Sequence, residues 1–468
     1  FPHRFHAAYQ RRTSLAHICC RVSFALAAII VFTGVSVWNA AAGVFNPESF
    51  TLENGLKVVI VPNRRAPVAT MIVYYRVGAM DEPPGKSGLA HYFEHLMFKG
   101  TENMAPGEFS DIVARNGGRD NAFTSQDYTG YITSFAADRL DIILKLEADR
   151  MMGLRLTPDD IEPERRVVLE ERLSRIDNKP GAQLSEQAAA AMYANHPYRI
   201  PIIGWEHEIK ALTREDLLQF YKAWYTPNNA VIMISGDVET AHVRKLVERH
   251  FGHFQSRPLP KRPEWKEPPR SADRLITLSH SRVKQPSWSR RYLAPNYASG
   301  DHKRVNALEV LSEILSGGTT GRFYRQLVVE QALAAHSGTW YSANNRGPSV
   351  FGFYGSPRPG KTLDEIEAAI EAQISDLLEN GVTKQEVRLA IERMQAEAVF
   401  ARDSLGAPPR ILGNALMTGQ SIEDVEAWPE RIGAVTVEAV NAAARAVLET
   451  SGAVTTRLTP NQKIEGKL

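Results

Sequence analysis

The sequence predicts an α+β chain of two related domains, and three observations carry that prediction. Short runs of β-branched and aromatic residues, bounded by turn residues, are interleaved with segments of helical period, the pattern of mixed helix and sheet. Residues 258–271 hold five prolines among many charges, the composition of a semi-rigid linker. On either side of it, Leu156-Thr-Pro-Asp-Asp-Ile-Glu-Pro-Glu-Arg-Arg-Val-Val-Leu-Glu-Glu171 lines up with Val382-Thr-Lys-Gln-Glu-Val-Arg-Leu-Ala-Ile-Glu-Arg-Met-Gln-Ala-Glu397. A duplication is the economical reading, with two unrelated α+β domains as the alternative. At 468 residues and 43% hydrophobic content the chain is too long for one core, so the boundaries fall at 43–257 and 272–468.

Residues 1–42 read as a signal peptide. Arg4, Arg11, Arg12 and Arg21, with no acid, precede an apolar run from Val22 to Trp38 and then Ala40-Ala41-Ala42. The chain is therefore expected to be exported, to the periplasm in a two-membrane bacterium. An uncleaved membrane anchor is the alternative, since 17 residues is near the lower limit for a span. Taking the four arginines from the 55 basic residues leaves 51 against 53 acidic ones, a charge of −2, which implies nothing about nucleic acid. Both cysteines, Cys19 and Cys20, lie in the same segment. The remainder has no thiolate for a zinc site or a nucleophile, as suits an oxidising compartment.

The elements then follow in order. Phe50 to Val61 is a hairpin across Asn54-Gly55, and Val68 to Val77 is a second strand. Ser87 is the expected N-cap of a helix running on from Gly88. Gly117-Gly118 turns into a hairpin from Asn121 to Ser134. Leu140 to Met152 and Pro163 to Ile176 have helical period, and Ala230 to Ser235 is a buried strand closed by Gly236-Asp237. Thr213 opens a helix followed by a strand, as Thr436 does in the second half. Asp301-His-Lys-Arg-Val-Asn-Ala-Leu-Glu-Val-Leu311 stands in the second half where the first has its most distinctive helix.

That helix carries His91, Glu94 and His95, an HxxEH pattern. Two histidines four apart share one helix face, as two imidazole ligands of one ion must, and Glu94 points to the same side. With 13 histidines in the chain, chance would give the pattern in roughly 0.02 chains of this length. A catalytic zinc site takes three protein ligands and leaves a position open. A carboxylate from a later helix is the natural third. Glu164 and Glu171, seven apart, face the same way, while Glu170 is turned by about 100° from Glu171. Spacing alone leaves the choice among them open.

An HxxEH followed 75 residues later by the last glutamate of Glu164-Arg-Arg-Val-Val-Leu-Glu-Glu171 resembles the inverted-zincin peptidases of family M16. The similarity extends to Asn121-Ala-Phe-Thr124, to Asn195 through Gly204, and from Phe220 through Ala230 to Ser235-Gly-Asp237. It is much weaker in the second half. The resemblance implies two α/β-sandwich domains, each an antiparallel-rich sheet with helices packed on it. It also implies one Zn²⁺ per chain on His91, His95 and Glu171, with Glu94 as general base and Glu164 as an auxiliary acid beside the metal. Asn121, Ala122 and Phe123 are implied to offer an edge strand to which an extended peptide adds. The length resembles that of the two-domain type, whose subunits pair around a chamber.

One departure from the family pattern matters. Active members resemble one another in an Arg and a Tyr of the second half that hold substrate; this chain has Val328 and Ala335 there. The expectation is a zinc endopeptidase for unfolded peptides whose partner, a related subunit without HxxEH, supplies the pair, so that the two form a heterodimer. A homodimer without the pair and a non-catalytic peptide-binding or structural subunit are the alternatives. No Gly-rich phosphate loop or basic aromatic motif argues for nucleotides or nucleic acid.

Overall fold

The computed structural model describes residues 43–461; the predicted signal peptide, with both cysteines, lies outside the described residues. The first sheet comprises β1 (Glu48–Thr51), β2 (Lys57–Pro62), β3 (Val68–Tyr75), β4 (Arg119–Thr124), β5 (Thr129–Ala136) and β6 (Ala230–Gly236). Its spatial order is β1-β2-β6-β3-β5-β4. Eight α-helices belong to this half of the described chain: α1 (Leu89–Leu96), α2 (Glu108–Arg115), α3 (Leu140–Gly153), α4 (Pro158–Arg172), α5 (Pro180–Met192), α6 (Glu206–Ala211), α7 (Arg214–Trp224) and α8 (Thr240–Phe251). After α4 the chain passes directly into one π-helical turn, Leu173–Asp177.

The second half repeats the plan. β7 (Arg274–His280), β8 (Ser287–Ala294), β9 (Ala334–Tyr341), β10 (Ser349–Pro357) and β11 (Val454–Pro460) form a sheet of order β7-β11-β8-β10-β9. This is the order of β2-β6-β3-β5-β4, strand for strand. In both sheets the last strand of the half runs parallel to the first of the five, and the other pairs are antiparallel. The helices are α9 (His302–Ser316), α10 (Leu363–Asn380), α11 (Lys384–Ala401), α12 (Ala407–Met417), α13 (Ile422–Glu426), α14 (Trp428–Gly433) and α15 (Val437–Leu448). α9 follows β8 as α1 follows β3. The aligned stretches fall on α4 and α11, each opened by a Thr whose N–H donates to the acid three residues on, Thr157 to Asp160 and Thr383 to Glu386. Because that cap sits at Thr157, α4 begins five residues before the predicted Pro163. The duplicated α+β fold and the antiparallel-rich sheets are as expected.

Each sheet buries both faces, as side chains alternating with period two allow. Met71, Val73 and Tyr75 of β3 point into the core under α1, α3, α7 and α8. Ile72 and Tyr74 point the other way, with Val59, Val61, Val231 and Met233, and are covered by Leu412, Ala415 and Leu416 of α12 from the second half. The loan is reciprocal. Leu184 of α5 packs against Val283 and Leu458, and Ala188 and Met192 cluster with Val454, on the second sheet. Burying such a side chain contributes roughly 1.5–3 kcal/mol, so each helix is bound firmly to the opposite half.

Residues 258–271 have no regular structure, as the prolines predict, yet they are not a free tether. The Glu267 carboxylate accepts the backbone N–H groups of Ala194 (2.8 Å) and Asn195 (2.9 Å). Arg262 donates to Asp81 (2.7 Å) and lies over Trp224. Arg346 of the second half reaches the same Asp81 at 3.3 Å. Charged side chains interspersed with the prolines thus pin the linker to the first half.

Candidate metal centre and peptide cleft

The helix that carries the HxxEH residues starts differently from prediction. Its N-cap is Gly88, at φ 84, where the left-handed backbone favours glycine. A side chain there would also strike the carbonyl of Ile203, and one at Gly204 would strike Gly88. The two glycines let the 201–204 segment press against the helix start. Two N–H groups at the helix start are taken by the carboxylate of Glu82, which accepts from Ala90 (2.7 Å) and from the N-cap Gly88 (3.0 Å). Ser87 caps nothing; its hydroxyl accepts the N–H of Trp205 (2.8 Å). A carboxylate six residues upstream outcompetes the adjacent hydroxyl because its two oxygens reach two donors at once.

α1 and α4 pack together and bring three predicted ligands into one group. Donor atoms of His91, His95 and Glu171 lie within 4.8 Å of one another. Glu171 Oε2 stands 3.6 Å from His91 Nε2 and 3.2 Å from His95 Nε2. Glu170, the rotated neighbour, is exposed. Glu171 Oε1 is held from the other side by Arg175 Nη1 at 2.8 Å. His95 Nδ1 is 2.8 Å from Glu164 Oε1, and Glu164 Oε2 pairs with Lys99. Placing the ring proton at Nδ1, where Glu164 accepts it, leaves the Nε2 lone pair facing Glu171. The Nδ1 of His91 is buried without a hydrogen-bond partner.

The electrostatics separate the two histidines. Burial, with the charges of His95 and Arg175, lowers His91 to about 3 and keeps it neutral. Burial also pulls His95 down, but the hydrogen bond and charge of Glu164 and the charges of Glu171 and Glu94 outweigh it and hold His95 above its ordinary value. Glu164 is the converse: burial raises it, and the bonds to His95 and Lys99 more than offset that and hold it below the usual carboxylate range. Both oxygens of Glu164 are thus engaged, one by His95 and one by Lys99. Two imidazole nitrogens and one carboxylate oxygen, with a fixed tautomer and room beside them, fit a zinc ion with an open position.

Glu94 lies on the same helix face. Burial raises its pKa, and the hydroxyl of Thr124, which donates to Oε2 at 2.5 Å, works against that rise. Thr124 ends β4, and β4 is the outermost strand of its sheet, so a free backbone edge runs beside the metal group. Asn121, Ala122 and Phe123 all border the cavity of about 740 Å³ that contains His91, Glu94, His95 and Glu171. The Phe123 ring, however, packs on the opposite face with Tyr74 and Tyr128, over Gly130 of β5. Beside α11, the counterpart of α4, lies a smaller pocket of about 270 Å³ lined by Met394 and Glu397 of α11, Glu309 of α9 and Trp428, with no histidine. Val328 is buried and Ala335 exposed, and the nearby Arg322 is committed to Glu386 at 2.9 Å.

Sequence reasoning did not single out Glu82, Lys99, Thr124 or Arg175. Only Arg175 had a readable cue, a basic residue four after an expected ligand on a helix. The others depend on which surfaces tertiary packing brings to α1.

A doubled α+β chain with an HxxEH helix and a glutamate from a later helix has the make-up of an inverted-zincin metallopeptidase. Residues 57–205 match the model of the insulinase family, peptidase family M16, and residues 211–394 match the M16 inactive domain. The chain belongs to the M16 peptidase family. It is 33% identical over 377 residues to the zinc protease PqqE of Helicobacter pylori, covering 80% of this chain and 84% of that one. A solved protease from Helicobacter pylori superposes with a TM-score of 0.83 at 30% identity, covering 89% of this chain and 100% of the other. A probable mitochondrial-processing peptidase subunit beta of Schizosaccharomyces pombe is 31% identical over 208 residues, 44% of this chain and 45% of that one. The second half, where the resemblance by motif is weak, thus also matches the family, through the domain model over residues 211–394 and the superposition over 89% of the chain.

Proposed function

We propose that this chain is a zinc-dependent endopeptidase that cleaves unfolded peptides laid along β4. The observation that carries the reading is the junction at Thr124: the residue that ends the free strand edge also holds the carboxylate of Glu94, beside a two-histidine, one-glutamate donor group. An extended peptide adding to β4 by backbone hydrogen bonds is brought to that group with little demand on its sequence. A zinc ion held by His91, His95 and Glu171 supplies Lewis acidity, which acidifies water and polarises a carbonyl. Glu94 does the proton work. Thr124 holds its Oε2, burial keeps its proton affinity above that of an ordinary carboxylate, and Oε1 takes a proton from the attacking water and returns it to the leaving amine.

The N-terminal reading makes the chain an exported, periplasmic protein. Val328 and Ala335, which cannot donate hydrogen bonds from their side chains, support a partner of the same family that supplies the missing Arg and Tyr around a shared chamber. A second reading, a non-catalytic peptide-binding subunit, draws on the match of residues 211–394 to the M16 inactive domain. Glu94→Gln decides between them. Zinc content and cleavage of a quenched fluorescent peptide are measured for both forms, alone and with whatever co-purifies from the native host. Retained zinc with lost turnover supports the enzyme; turnover absent from the wild type in every preparation supports the binding subunit.

A further inference from the structure

Arg175 sits in the π-helical turn that follows Glu171 and lines the cleft. Its Nη1 is 2.8 Å from Glu171 Oε1, and Glu171 is its only ion-pair partner among the described residues. A guanidinium has five N–H donors in a fixed fork, so most of them remain available. The side chain is 69% exposed, against 28% for Lys99, the other cation of the cleft, whose ammonium is bound by Glu164. The cleft's carboxylates are already engaged, Glu164 by His95 and Lys99, Glu94 by Thr124, and Glu171 by Arg175 and the histidines. Among the charged side chains that line the cleft, the most exposed is therefore positive.

We propose, on the footing of the peptidase reading, that Arg175 binds a carboxylate of the peptide within one or two residues of the bond to be cut. A planar fork matches a carboxylate through two parallel hydrogen bonds. The position follows from distance. Arg175 is one carboxylate away from the donor group, and an extended chain rises roughly 3.3 Å per residue, so the side chain that reaches it belongs to the residue at the scissile bond or its neighbour. The carboxylate can come from an Asp or Glu side chain or from a free peptide C-terminus.

The test uses the chain together with whatever co-purifies. A matched set of quenched fluorescent peptides carries Glu, Gln or Lys at each of the two residues flanking the scissile bond. A further pair ends there in a free carboxylate or an amide. The expected result is a kcat/KM about tenfold higher for Glu than for Gln, lost in Arg175→Ala and turned toward Lys in Arg175→Glu, while Arg175→Ala keeps its zinc content and Tm. If the free-carboxylate peptide is preferred over the amide instead, the source is the C-terminus. In the Glu94→Gln background, fluorescence anisotropy shows the same preference in Kd and its loss on Arg175→Ala. Equal losses for all peptides, or lost zinc with the preference intact, would reduce Arg175 to a positioning residue for Glu171 and overturn the proposal. A wild type that cuts Glu, Gln and Lys peptides alike overturns it while leaving the peptidase reading standing; a zinc-loaded wild type that cuts none overturns both.

Discussion

Replacing Glu164 by Gln tests how the metal group is held. In the native chain one oxygen faces His95 Nδ1 at 2.8 Å and the other the Lys99 ammonium. Gln keeps the shape but has one acceptor for two donors. If its oxygen stays with His95, its NH₂ opposes the ammonium. If the oxygen turns to Lys99, the NH₂ points at Nδ1 and drives the ring proton to Nε2, where it occupies the lone pair a ligand needs. The first arrangement leaves a donor unmatched, at a cost of about 1–3 kcal/mol, and the second blocks the ligating nitrogen. Loss of such a carboxylate behind a ligating histidine typically weakens metal binding by about 10- to 100-fold, roughly 1.4–2.7 kcal/mol. The Kd of the metal-free variant for zinc, measured by competition with a chromophoric chelator, is therefore expected to rise by that factor, with the far-ultraviolet circular dichroism unchanged. A Kd within about twofold of wild type would refute the reasoning and return Glu164 to the status of a bystander.

Two further substitutions probe the cleft and the frame. Thr124→Val removes the hydroxyl that holds Glu94 and opposes the rise in its pKa. A general base must be ionised, so the acid limb of the kcat/KM profile should move to higher pH, and an unmoved limb would detach Thr124 from catalysis. Leu412→Ala empties a fully buried site where α12 covers the first sheet. It should cost about 2–5 kcal/mol in denaturant unfolding, and a loss below about 1 kcal/mol would show that α12 is not bound to that sheet.

Most of the HxxEH helix was legible because its information is local. His91 and His95 share a face by helical period alone, and the Asn54-Gly55 turn and the apolar run of residues 230–234 in β6 are equally self-contained. The duplication was readable from one aligned stretch because both copies keep the Thr cap that opens the helix. What escaped reading was settled by partners distant in sequence. Glu82 caps α1 only because the loop folds back over it, which displaced Ser87. Spacing placed Glu164 and Glu171 on one face without assigning their tasks; the reach of Glu171 Oε2 to both Nε2 atoms, and the commitment of Glu164 to Nδ1 and Lys99, separate them. Asn121, Ala122 and Phe123 were read as a backbone edge and border the cleft, but the side chain that meets Glu94 went unread: alternation along β4 sends Thr124 toward it and the Phe123 ring to the other side.

The exchange of α5 and α12 bears on how the chain comes to its native state. During synthesis the first sheet can close on itself once β6 has emerged, yet the face formed by Val59, Ile72 and Met233 keeps its apolar surface uncovered until Ala407 to Met417 arrive. α5, made early, waits in turn for β11, the last strand of the described chain. Contacts of such long range form late and slowly, and an exposed apolar sheet face in the interval invites aggregation. That surface has to be kept apart from its neighbours until the final strand is in place. A cut at the linker would yield two pieces that each keep a core of their own but expose an apolar sheet face that the other had covered.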